Sequence, residues 1–263
     1  MGFAGRSVLA LESRRAAEMR ELIARQGGDA FVAPSMREIP LPDNEEAFRF
    51  AGRLFAGGFD MVVLLTGVGT RQLTRLLATR YPEGAFADAL RRVTVVARGP
   101  KPATALREMG LAPDVIAPEP NTWRELLAAT EGRPERRIAV QEYGRPNPEL
   151  LEGLRARGAD VTQVRVYQWD LPEDTAPLRE GARRLAAGAF DVVLFTTAIQ
   201  IAHLARISRE LDIEAAVLAA LGKCRVCSIG PTTTEALEEF GIHPAMEPSH
   251  PKMGFLVKEA AEE

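Results

Sequence analysis

The chain matches itself at a single offset of 131 residues, and no other feature constrains its fold as strongly. Gly58-Phe59-Asp60 precedes one apolar run, and Ala189-Phe190-Asp191 precedes another. Gly99-Pro100 corresponds to Gly230-Pro231, Leu106 through Gly110 to Leu237 through Gly241, and Pro113 to Pro244. Gln26-Gly-Gly-Asp29 corresponds to Arg157-Gly-Ala-Asp160. One offset carries all of these matches without a gap, which chance does not supply and duplication of an α/β unit does. So long a period excludes a solenoid, whose repeats run to roughly 20–50 residues.

Each half alternates short apolar strands with helices. The first half predicts a strand at Ser7 to Leu11, a helix from about Arg14 to Arg25 capped by Ser13, and a strand near Ala30 to Ala33. Met61 to Leu65 reads as a strongly apolar strand that ends in a turn, Thr66-Gly-Val-Gly-Thr70, feeding a helix over Arg71 to Ala78. Val93 to Val96 reads as a strand, followed by Gly99-Pro100 and a helix over Ala103 to Met109. The second half predicts a strand at Ile138 to Val140, a helix from Pro148 to Ala156, and strands at Asp191 to Phe195 and Cys224 to Ile229. Apolar strands alternating with helices mean parallel sheets covered on both faces, with the loops after the strands gathered at one edge.

Polar or proline-bearing segments at Met36 to Glu46 and Trp169 to Pro177 interrupt this rhythm and read as crossover linkers. The fold expected is α/β: two flavodoxin-like lobes of parallel sheet flanked by helices and joined by a two-segment hinge. Residues 1–36 and 173–263 form a discontinuous first lobe, and residues 37–172 form the second. A cleft between two such lobes is a favoured place for a ligand.

Composition excludes several function classes. Apolar residues make up 46% of the chain, too many for a disordered protein. The net charge of −3 argues against nucleic-acid binding. No apolar run approaches the ~20 residues needed to cross a bilayer, and no export signal is evident, so a cytoplasmic protein without membrane partners is expected. Cys224 and Cys227 are spaced C-x-x-C but lie in a strand-like segment, where residues three apart point to opposite faces; core packing is the expectation rather than redox or zinc chemistry. His203, His243 and His250 are scattered, and no metal site is expected. Only four basic residues are lysines against 29 arginines; genomic or thermophilic bias accounts for this and leaves an anion-binding cleft easy to build.

Several segments, in this order and spacing, resemble the uroporphyrinogen-III synthase family over nearly the whole chain. The strand ending in a hydroxyl residue before a small-residue turn is present as Leu64-Leu-Thr66-Gly67-Val68-Gly69-Thr70 and again as Phe195-Thr196-Thr197-Ala198-Ile199. The strand, Gly-Pro, Thr, helix pattern is present as Val226-Cys-Ser-Ile-Gly230-Pro231-Thr232-Thr233. Gly110 through Pro118 followed by Asn121-Thr122, and Val164-Arg-Val-Tyr167, also fit. Gly67 and Thr197 stand where the family often has serine, Gly69 where asparagine is common, and Pro102-Ala103 replaces the threonine after Gly-Pro. These departures argue against a strict role for any single hydroxyl.

The resemblance implies a cofactor-free, monomeric enzyme of tetrapyrrole synthesis. Its substrate would be linear hydroxymethylbilane, a tetrapyrrole with eight carboxylates. The product would be uroporphyrinogen III, formed by inversion of the last ring, closure and loss of water. Helix N-termini after parallel strands accept carboxylates. Thr66 to Thr70 and Thr196 to Ile199 are therefore expected to bind substrate, with Thr122 and Gly230 to Thr233 on the walls. A plain helix cap is the competing reading for each threonine. Tyr167 falls at the family's interlobe tyrosine, where its phenol would donate to the departing hydroxyl as a weak general acid. Tyr81 and Tyr143 have no such context and read as structural. The rival readings are a non-enzymatic two-lobed sensor of an anionic small molecule and a flavodoxin-like partner protein. A flavin would want aromatics in the strand-end loops, which are instead rich in Gly and Thr.

Overall fold

A computed structural model describes residues 2–41, 44–142 and 147–262. Pro42 and Asp43 of the first linker, and Tyr143, lie outside the described residues. In chain order the elements are β1 (Ser7–Ala10), α1 (Ala16–Arg25), β2 (Asp29–Val32), β3 (Arg37–Pro40), α2 (Glu45–Phe55), β4 (Met61–Leu64), α3 (Gly67–Leu77), α4 (Ala85–Leu90), β5 (Thr94–Ala97), α5 (Pro100–Glu108), β6 (Val115–Ile116) and α6 (Trp123–Ala129). There follow β7 (Arg137–Gln141), α7 (Pro148–Ala156), β8 (Asp160–Val164), β9 (Tyr167–Asp170), α8 (Ala176–Ala186), β10 (Val192–Phe195), α9 (Ile199–Glu210), α10 (Glu214–Leu221), β11 (Arg225–Ser228), α11 (Pro231–Glu238) and α12 (Met253–Glu262).

The chain divides into two compact units, residues 1–37 with 170–263, and residues 38–169. The first holds a parallel sheet ordered β11-β10-β1-β2, and the second a parallel sheet ordered β6-β5-β4-β7-β8. The class is α/β, with parallel sheets flanked by helices. Registers repeat at the offset seen in the sequence: Met61 pairs with Thr94 as Val192 pairs with Arg225. Even the short contact of Val96 with Val115 recurs, as a bridge between Cys227 and Met246. A short strand, β3, lies in the first linker and pairs with β9, which runs into the start of the second.

Strand periodicity fills the core of each unit from both faces of its sheet. In the first, Val8, Val192 and Leu194 pack with α1 and α12, while Leu9, Val193 and Phe195 pack with α8 and α9. In the second, Met61 and Val63 face α6 and α7, while Val62 and Leu64 face α2 and α3. Cys224 and Cys227 are free thiols on opposite faces of their sheet, and burial pushes the Cys224 thiol up. Gly57 and Gly188, after α2 and α8, both take the left-handed conformation that ends a helix and turns the chain into the next strand (φ 73° and 75°).

Several helix starts differ from the sequence expectation. Ser13 does not cap α1; its Oγ accepts from the N–H groups of Ser35 and Met36 at 3.0 Å. Glu12 takes part of the capping role, accepting from Arg15 N–H at 3.0 Å. The residues expected as a turn, Gly67 to Thr70, are already the first turn of α3, with Thr66 as its cap. Pro100 and Pro231 open α5 and α11, where the missing N–H costs nothing.

Candidate active site

Within the second unit, Thr66 follows β4 at the carboxyl edge of the sheet. Its Oγ1 accepts from Gly69 N–H at 3.0 Å, and the same oxygen lies 3.3 Å from the Tyr167 hydroxyl. Tyr167 begins β9. It is 1% exposed, packed among Phe50, Leu64 and Val166, with Trp169 edge-on at 5.4 Å. The phenol is enclosed, and half-buried Thr66 is a polar neighbour of it. Thr70 is fully buried and donates back to the Thr66 carbonyl at 2.8 Å. Thr122 closes a capping box with Glu125 at the start of α6, accepting from Arg124 N–H at 3.2 Å. Among the described residues, the N–H groups of Gly67 and Val68 meet no acceptor, as expected for the first turn of a helix.

The first unit carries the corresponding edge. Thr196 donates to Glu12 at 2.6 Å. The N–H groups of Thr196 and Thr197 both go to Gln200 Oε1, at 2.7 and 3.3 Å. Ala198 and Ile199 open α9, and their N–H groups meet no acceptor among the described residues. Gly230 N–H goes to Ser228 Oγ at 3.3 Å, Pro231 has none to give, Thr232 is half-buried and Thr233 is buried. Side chains thus already occupy several donors that sequence reasoning assigned to substrate. Those still open at the helix starts, among the described residues, are Gly67, Val68, Ala198, Ile199 and Thr232. No cluster of metal-ligating side chains occurs among the described residues, and no described helix is long and apolar enough to cross a membrane. His203 is buried and joins Ser35 carbonyl through Nδ1 at 2.7 Å, so it holds the fold together.

A family model for uroporphyrinogen-III synthase HemD matches residues 17–258. The chain belongs to the uroporphyrinogen-III synthase family. It is 32% identical to a putative uroporphyrinogen-III synthase of Methanothermobacter thermautotrophicus, over 87% of each chain. It is 28% identical to the uncharacterized protein YjjA of Bacillus subtilis strain 168, over 99% of this chain and 96% of that one. A crystal structure of a mutant uroporphyrinogen III synthase from the extremely thermophilic bacterium Thermus thermophilus superposes with a TM-score of 0.71 at 26% identity, covering 96% of both chains.

Sequence reasoning missed the buried polar residues at the strand ends of this synthase-family chain. These are Glu12, Gln141 and Glu142, and with them Gln200 in the first turn of α9. Their signal was a polar residue directly after an apolar run, as in Val140-Gln-Glu142. Glu142 is the most costly of them. It is 1% exposed, accepts from Gln163 Nε2 at 2.9 Å, and its Oε2 meets no partner among the described residues. The equivalent position in the other half is Leu11. Burial raises the Glu142 carboxyl above its ordinary 4.5, opposed by the Gln163 hydrogen bond and nearby Arg165 and reinforced by Glu46. A raised folded value means that stability is fully present below 4.5 and is lost as pH rises through the folded value. Glu142→Gln should therefore raise the unfolding midpoint at about pH 7.5, with the gain shrinking to nothing by about pH 4. Thermal unfolding of both proteins across that range checks the sign, and a gain independent of pH would contradict it.

Proposed function

We propose that the chain is a uroporphyrinogen-III synthase that closes linear hydroxymethylbilane to uroporphyrinogen III, with inversion of the terminal ring and loss of water. The observation that carries this reading is the family match across residues 17–258. The local geometry supports it, because the reaction asks for hydroxyls and backbone donors rather than a metal or a strong nucleophile. The hydroxymethyl group on an electron-rich pyrrole leaves as water once its oxygen receives a proton. The resulting azafulvene is attacked by the substituted carbon of the terminal ring, giving a spiro intermediate. That intermediate fragments and recloses in the inverted sense, returning a proton as aromaticity is restored.

In this reading Thr66 Oγ1 meets the departing hydroxyl, and Tyr167, enclosed behind it, orients and polarises the Thr66 hydroxyl. Tyr167 is then a positioning residue. Open N–H groups at Gly67, Val68, Ala198, Ile199 and Thr232 take substrate carboxylates, aided by their helix dipoles. Uncatalysed closure without inversion is easy, so catalysis lies mainly in orientation. The decisive experiment is incubation of the purified protein with hydroxymethylbilane and resolution of the product isomers. The expected result is the inverted isomer in excess over the non-inverted one that forms alone. An isomer ratio equal to the protein-free control would reject the reading.

A further inference from the structure

The two strand-end turns are held by the same hydrogen bonds, but the group that makes them comes from different elements. In the second unit the Gln141 carboxamide at the end of β7 accepts from Thr66 N–H at 3.4 Å and donates to the Glu142 carbonyl. In the first unit the Gln200 carboxamide on α9 accepts from Thr197 N–H at 3.3 Å and donates to the Leu11 carbonyl at 2.9 Å. At the offset of 131, Thr66 corresponds to Thr197 and Glu142 to Leu11. One buried amide therefore bridges the same two backbone groups in both units. Yet Gln141 corresponds to Ala10, and Gln200 corresponds to Gly69. Wherever one element supplies the glutamine, the facing element has shrunk to make room. The fit is tight: a Cβ added at Gly69 would fall inside the Gln141 carboxamide.

Both glutamines are buried, at 1% and 0% exposure. Two unlike side-chain arrangements thus converge on one pair of hydrogen bonds at the carboxyl edge, the edge that carries the open helix donors. Without Gln141, the Thr66 N–H and the Glu142 C=O lose this partner, at a cost of about 1–3 kcal/mol per buried group, whereas in the first unit the Leu11 C=O keeps the Ser35 hydroxyl at 2.9 Å. Among the described residues, Thr66 N–H meets no other acceptor that would replace it.

We propose that Gln141 is a positioning residue for the reaction, holding the β4–α3 turn so that the Thr66 hydroxyl stays against the Tyr167 phenol, and that Gln200 does the same service for the Thr196–Thr197 turn. The proposal rests on the functional reading given above. Small displacements of a reacting group carry large penalties, up to about 100-fold for an error near 1 Å. The consequence of losing Gln141 therefore falls on turnover more than on substrate affinity.

The test is a cycle of three variants of the full chain: Gln141→Ala, Gly69→Gln, and the two together, which moves the second unit to the arrangement of the first. Turnover of hydroxymethylbilane, KM, urea unfolding and the hydrogen-exchange rate of the Thr66 amide are measured for each. Gln141→Ala should lower kcat about 10-fold or more, with KM changed less than about threefold, and should speed exchange at Thr66. Gly69→Gln alone should be worse in both stability and kcat, because two side chains then claim one space. The double variant should recover kcat to within about threefold of the parent and restore Thr66 protection. Should Gln141→Ala fail to fold, the double variant decides alone. A folded Gln141→Ala protein with parental kcat, or a double variant no better than the worse single one, would overturn the proposal. Failure of the parent chain to convert hydroxymethylbilane would instead remove the functional reading and Gln141's role with it. The amide-exchange cycle would then report packing only.

Discussion

Tyr167→Phe should reduce kcat by about 10- to 1000-fold while leaving the protein folded and the product inverted, somewhat less than the roughly 100- to 10,000-fold worth of a direct proton donor because Tyr167 acts through Thr66. The ring stays and only the phenol oxygen goes. Tyr167 is buried in the hydrophobic cluster that includes Phe50, Leu64 and Val166, and phenylalanine fills the same place. Loss of one hydrogen bond to Thr66 costs about 1 kcal/mol net, which a folded unit of this size absorbs. The effect on rate comes through Thr66, whose oxygen remains tied to Gly69 N–H but loses its second polar neighbour. A purely packing role for Tyr167 predicts unchanged turnover, so the kcat–KM split separates the two. A shift toward the non-inverted macrocycle would mean that the phenol steers ring inversion itself, contrary to its assignment behind Thr66.

Gly67→Ala should destabilise the protein by about 1–3 kcal/mol and lower activity, whereas Ala198→Gly, at the equivalent position, should cost about 1 kcal/mol or less. The asymmetry has a physical source. A Cβ at Gly67 would lie 2.5 Å from the Lys101 carbonyl oxygen on α5, so backbone rather than a flexible side chain must move. Helix α3 would tilt from α5 and take the Gly67 and Val68 N–H groups with it. In the first unit the same site accepts a methyl group, and Ala198 packs into the core there. Urea midpoints of both variants, with kcat measured beside them, check the contrast. Equal costs for the two would show that α5 yields more easily than its backbone contact implies.

The repeat made the strands legible, because an apolar run bounded by Gly and Asp needs no tertiary information to be read as a buried strand. Helix α7 was legible to its ends, Pro148 and Ala156, through the proline at its first position. The start of α3 was not. Gly67 and Gly69 are poor helix formers and read as a turn, but both are small for tertiary reasons: one for the approach of α5, the other for Gln141. Tyr167 was legible as a residue of interest and not as an enclosed one, since alternation along a strand cannot tell which neighbour covers its end. The bridging glutamines escaped because they do not sit at equivalent positions. The repeat that exposed the fold concealed them.

The strand order of the first unit has a consequence for synthesis of the chain. Strand β1 lies inside that sheet and pairs with β10, Val8 against Val192. The second unit is complete once residue 169 has left the ribosome, while the first awaits residues 170–263. Throughout that interval β1 and β2 have no sheet to join on one side, and their apolar side chains and open edge stand exposed to other nascent chains. A ribosome pausing between Asp170 and Val192 would prolong this exposure, and one that hurries through it would shorten the window for aggregation.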